Sequence, residues 1–89
     1  MTPEQTATIT ELMDQHQILS ISGEDPMVLD LGVGATVEIV ADGTQFWFLN
    51  RQQHRTGGPA MIWANGLQEW YLNNIKMSKA EHRIKTIAV

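Results

Sequence analysis

The sequence contains no cysteine, which excludes a disulfide framework, a thiolate zinc site and a thiol nucleophile, and suits a reducing compartment. No stretch approaches the roughly 18 consecutive apolar residues that a membrane-crossing helix needs. The polar start of the chain carries Glu4, Glu11 and Asp14 where a secretory signal would need a basic end and an apolar run. These absences predict a cytoplasmic chain with no membrane partner. Basic residues are also few: 6 Lys and Arg against 10 Asp and Glu give a formal net charge of −4, which weighs against a surface that binds nucleic acid by neutralising phosphates. The acids are scattered, so they do not mimic a nucleic-acid backbone either. At 89 residues, with 43% hydrophobic and 18% charged, the composition predicts a single folded domain over residues 1–89.

Chemical motifs are equally scarce. His16, His54 and His82 fall far apart, with no His-x-x-His or Glu-x-x-His pair, so no metal site is expected. Gly32-x-Gly34 lacks the third glycine, the following helix and the remote acid of a dinucleotide site, and reads as backbone relief before the repeat. Ser20, Ser22 and Ser78 have no nucleophile-elbow context. Glu38 and Glu69 are a carboxylate pair that one sheet face would bring together for acid–base work, but no pocket is indicated around them. The expectation is a non-enzymatic chain with no catalytic residue and no cofactor.

What the sequence does have is a repeat. Ala41, Gly43, Gln45, Trp47, Leu49 and Asn50 recur about 23 residues later as Ala64, Gly66, Gln68, Trp70, Leu72 and Asn73, the signature of stacked units. Each copy reads as a hairpin, over residues 34–56 and 57–77, turning at Ala41-Asp42-Gly43 and Ala64-Asn65-Gly66. A two-residue turn would place Trp47 beside Glu38. A three-residue loop ending in a left-handed glycine instead groups Val37, Ile39, Trp47 and Leu49, and likewise Ala60, Ile62, Trp70 and Leu72. The second register gives both copies an apolar face and is the one predicted, with Trp47 and Trp70 buried in equivalent places.

Around the repeat, Thr2-Pro3-Glu4-Gln5 is a capping box with proline at the first helical position, and Ile9, Leu12 and Met13 share one face, predicting a helix over about residues 3–17. His16, on the same line, reads as a cap or surface group. Residues 18–33 carry two strand patterns, Ile18 to Ser22 and then Met27, Leu29, Leu31 and Val33 in alternation. For the C-terminal segment 78–89, Ser78-x-x-Glu81 with Ile84, Ile87 and Ala88 suggests a helix while its β-branched content suggests a strand, and both readings stand. The fold class is α+β: an N-terminal helix on an antiparallel sheet of about six strands, four of them from the two hairpins.

The second face of that sheet groups Glu38, Val40, Phe46 and Phe48 with Met61, Trp63, Glu69 and Tyr71. Large aromatics there need a cover, which is the N-terminal helix, another subunit or a target. If a partner covers them, Trp63, Tyr71, Met61 and Phe48 are the anchors, and Glu38 and Glu69 supply charge for a basic partner. The loop between the copies holds Arg51, His54 and Arg55, the densest basic charge in the chain and the candidate for anion binding.

Gly58-Pro59-Ala60-Met61-Ile62-Trp63-Ala64-Asn65-Gly66-Leu67-Gln68-Glu69-Trp70-Tyr71-Leu72-Asn73, with His54-Arg55 at the preceding joint, resembles the short MORN-like β-hairpin repeats widespread in tailed bacteriophages and prophages. Those repeats continue through an Asn-Gly turn and a His-Arg pair. Here Arg51 and Asn74 stand at the glycine position, and Met77-Ser78 replaces His-Arg in the second copy. The resemblance implies a small phage accessory protein that binds and inhibits a host bacterial protein or complex, an anti-defence role of the anti-CRISPR kind. Two alternatives remain: a single-stranded nucleic-acid module in which the basic loop meets phosphates and Trp63 or Tyr71 stacks on a base, and a minor virion component that self-associates, as a homodimer or longer, through its edge strands.

Overall fold

Thr2 and Gln5 start the first helix as their spacing predicts. In the computed structural model, which describes residues 1–87, the Thr2 hydroxyl accepts the Gln5 N–H at 3.1 Å and Gln5 Oε1 accepts the Thr2 N–H at 2.9 Å. The helix α1, Pro3–Gln15, ends two residues short of the predicted span because His16 is already extended. Gln5 does more than close the cap. It is buried, and its Nε2 donates to the carbonyls of Glu24 and Ile39 at 2.7 and 3.0 Å, fastening the helix to the sheet; among the described residues no buried side-chain nitrogen or oxygen is left without a partner. Ile9 and Leu12 are buried with it, whereas Met13, expected on the same face, points outward at 59% exposure.

Eight strands follow among the described residues, two more than expected: β1 Ser20–Ser22, β2 Met27–Gly32, β3 Ala35–Ile39, β4 Gln45–Leu49, β5 Gln52–Gln53, β6 Met61–Ile62, β7 Gln68–Leu72 and β8 Ile75–Met77. They form one antiparallel sheet in the order β1-β2-β3-β4-β6-β7-β8, with β5 also pairing β4. The strand β4 is therefore shared: Gln45 and Phe46 pair with Ile62 and Met61 of the next copy, and Phe48 and Leu49 with Gln53 and Gln52 of their own. The extra strands are β5 and β8, so each copy is a three-stranded unit rather than a hairpin.

Turn chemistry sets this register. Gly43 and Gly66 are left-handed, with φ of 93° and 92°, and each N–H returns to the carbonyl three residues back, Val40 or Trp63, at 2.9 Å. This is the three-residue loop predicted, and Val37 lies opposite Trp47 as it requires. Asp42 and Asn65 accept the N–H two residues on, from Thr44 and Leu67, an Asx bond repeated in both loops. At the other end, Val33-Gly34, Asn50-Arg51 and Asn73-Asn74 are two-residue turns with both central residues at positive φ, the conformation that suits the twist of paired strands. Val33, expected to continue the β2 alternation inward, is 94% exposed because it occupies the first of these turns.

The core lies between α1 and one sheet face: Ile9 and Leu12 meet Met27, Leu29, Val37, Ile39, Trp47 and Ala60. Of the eight residues predicted for this face, Val37, Ile39, Trp47 and Ala60 are buried, while Leu49, Ile62, Trp70 and Leu72 are only half-buried. Trp70 does not match Trp47 in burial: α1 covers the first copy, whereas β7 of the second meets the C-terminal helix, with the Lys79 ammonium 5.9 Å from the Trp70 ring. The last helix, α2 Lys79–Ile87, resolves the open reading of the tail in favour of a helix, with the Ser78 hydroxyl accepting the Glu81 N–H at 3.1 Å. It buries His82, whose Nε2 lies 2.6 Å from the Arg55 carbonyl oxygen, and leaves Ile84 and Ile87 exposed. Ala88, included in that helical pattern, and Val89 lie outside the described residues.

Two outcomes follow from this packing. Trp47→Ala should cost about 3–5 kcal/mol, the usual range for a buried aromatic, and Trp70→Ala less than half of that, as read from urea unfolding midpoints. Arg51→Gly should raise stability by about 1 kcal/mol, since a side chain is disfavoured at the left-handed φ of 67° and glycine is not, with the amide spectrum otherwise unchanged.

Candidate functional site

Because strand residues alternate between faces, the register defines what lies on the side away from α1. One row crosses the sheet as Ser22, Val28, Glu38, Phe46, Met61 and Glu69, each opposite the next. A second row runs Ser20, Asp30, Thr36, Phe48 and Gln53. The helix α1 packs on the opposite face, correcting the option that Ile9, Leu12 and Met13 cover these aromatics, and α2 meets the sheet at β7. Across β2, β3, β4 and β6 no helix among the described residues packs on this side, and its residues on these strands are half-buried.

The aromatics there are held in place. Phe46 and Trp63 meet edge to face with ring centroids 5.9 Å apart, the arrangement that aromatic quadrupoles favour. Trp63, 36% exposed, donates its indole N–H to Glu69 Oε2 at 2.7 Å, and Glu69 also pairs with Lys76. The Lys76 ammonium, then the Trp63 indole N–H, hold the Glu69 carboxyl below its ordinary pKa. Trp63 is thus fixed at the edge of an apolar strip formed with Phe46, Phe48 and Met61, beside Asp30 and Glu38.

Of the predicted binding set, Trp63, Met61, Phe48, Glu38 and Glu69 share this face. Tyr71 departs from it and packs against the core cluster. A local irregularity accompanies the departure: Ala60 donates its N–H to Glu69 O, one residue out of step with the Met61–Glu69 pairing, as at a β-bulge. No composition signal marks that position. Phe46 lies on this face as alternation predicts, and its stack with Trp63 makes it a further candidate anchor.

The basic loop does not form one cationic surface. Arg51 is exposed in its turn, apart from the others. His54 Nδ1 accepts the Asn73 N–H at 3.1 Å, bracing the second copy's turn. The Arg55 guanidinium lies 3.7 Å over the Trp47 ring, donates to the Pro59 carbonyl at 3.3 Å, and has its pKa lowered by burial. Among the described residues no group of three or more His, Asp or Glu side chains is placed to hold a metal ion, and no helix is long and apolar enough to cross a membrane. Comparison with protein-family models, curated proteins and solved structures finds no match for this chain.

The Glu69 network has a pH signature. Its carboxyl has a lower pKa folded than unfolded, so the stabilisation is fully present above the ordinary carboxylate range and lost as pH falls through the lower folded value. A carboxyl-carbon NMR titration should place the Glu69 midpoint below its ordinary value, and Lys76→Met should move it upward. An unmoved midpoint in that variant would remove Lys76 as the cause.

Proposed function

We propose that this chain is a non-enzymatic binding protein that uses the open sheet face to hold, and thereby inhibit, a partner protein. The observation that carries this reading is the strip of Phe46, Phe48, Met61 and Trp63, half-exposed, uncovered by any described helix and rigidified by the Trp63–Glu69–Lys76 chain of contacts. Immobilised aromatics lose little conformational entropy on binding, which is what an interface anchor needs. Asp30 and Glu38 lie in the same two rows, so the complementary partner presents apolar surface bordered by Lys or Arg. The phage-type resemblance of the repeat makes a host defence protein or complex the proposed target.

The test is a tagged pull-down from bacterial lysate, with and without nuclease, comparing the native chain with a Phe46→Ala, Trp63→Ala variant that circular dichroism shows to be folded. A single host protein retained after nuclease and lost in the variant supports the proposal. Its affinity should fall on the order of 30-fold or more in the variant, corresponding to the loss of about 2 kcal/mol typical of an anchor. Retention that disappears with nuclease would favour a nucleic-acid module instead, and recovery of the chain alone as a defined oligomer would favour the self-associating reading.

A further inference from the structure

A second feature lies away from the open face. Between the C-terminal end of α1, the β2–β3 turn and the loop that follows β5 is a cleft of about 610 Å³, within the roughly 300–1,000 Å³ range of small-molecule sites. Leu31, Ala35, Trp47 and Leu49 contribute apolar wall, and His16, His54 and Arg55 are its charged or chargeable members. In a chain of formal net charge −4, none of the described residues lining this cleft is acidic.

Arg55 gives the cleft its chemistry. Its guanidinium is half-buried in a slot between the Trp47 ring and Gly58, where an added Cβ would come within 3.1 Å of it. One N–H is taken by the Pro59 carbonyl, and the others have no partner among the described residues. Glu11, in an adjoining hollow that Arg55 also lines, makes no ion pair with it. A desolvated guanidinium with free donors is suited to the two-pronged recognition of carboxylate or phosphate.

We infer that this cleft binds a small organic anion with a flat apolar body, its anionic end at Arg55 and its body along Trp47, Leu31 and Leu49. The α1 C-terminus sets the orientation. Its carbonyls end at Gln15 and His16 on another wall and repel an anion, leaving the Arg55 side as the place for the charge. His16, edge-on to Trp47 with centroids 5.3 Å apart, closes the apolar part. Of the open-face strip only Phe48 reaches the lining of this cleft; Phe46, Met61 and Trp63 do not.

The test is a titration of the ¹⁵N-labelled native chain with 2-naphthoate, 2-naphthyl phosphate, the neutral 2-naphthamide and inorganic phosphate. The expected result is saturable shifts at the Trp47 indole N–H, the Arg55 Nε–H and the Gly57 amide, with the Trp63 indole unmoved. Naphthamide should bind at least about tenfold more weakly than the better of the two anions, whose order distinguishes a carboxylate from a phosphate ligand. Inorganic phosphate, which lacks the body, should not saturate. Arg55→Lys keeps the charge without the fork and should weaken the anions about tenfold, while Phe46→Ala, Trp63→Ala should leave the titration unchanged. Equal binding of naphthoate and naphthamide, shifts centred on Trp63, or no saturation by either anion would overturn the inference, whether or not the Arg55 variant folds.

Discussion

The stack of Arg55 on Trp47 is the contact through which the parts of this molecule reach one another. Trp47 sits in the centre of the first copy, opposite Val37, in the cluster that receives Ile9 and Leu12 of α1, with His16 at its edge. Arg55 belongs to the joint between copies: its N–H donates to the Tyr71 carbonyl of β7, and its own carbonyl receives His82 of α2. Through its side chain on Trp47 and its backbone bonds to β7 and α2, Arg55 therefore links the core beneath α1, both repeats and the C-terminal helix. A guanidinium that is half-buried is costly to desolvate, and the indole face and the Pro59 carbonyl offset that cost. The second copy carries a looser version of the pair, with Lys79 5.9 Å from the Trp70 ring.

The two related stretches of sequence acquire different environments. The first copy has α1 on one side and the second copy along the edge of β4. Thr44 is buried where the second copy meets it, its hydroxyl accepting the Ala64 N–H at 3.1 Å. Its counterpart Leu67 meets no further copy among the described residues and is exposed. Burial here is a property of position in the stack more than of residue type.

Much of this was readable in advance where the signal was local. The capping box, the left-handed glycines at positions 43 and 66, and the alternation around Trp47 determine helix start, loop length and sheet face from a few neighbouring residues. The strands β5 and β8 were missed because their turns use Asn50-Arg51 and Asn73-Asn74, where glycine, the usual marker, is absent. The half-burial of Trp70 and the inward turn of Tyr71 were not legible, since each depends on what packs from elsewhere in the chain. For the open sheet face, alternation places Glu38, Phe46, Phe48, Met61 and Trp63 together. The cleft at Arg55 was invisible to it, because its walls come from a helix end, a turn and a loop remote in sequence.

The sharing of β4 between its own third strand and the first strand of the next copy means that the edge left by one unit is the foundation of another. Units joined this way grow by addition at a seam, and the open face would widen with each by one further row of alternating side chains. A partner footprint built on such a sheet comes in discrete widths, counted in whole units. Among the described residues two such units are joined, with α2 meeting β7 of the second, and the width of the open face follows the number of repeats.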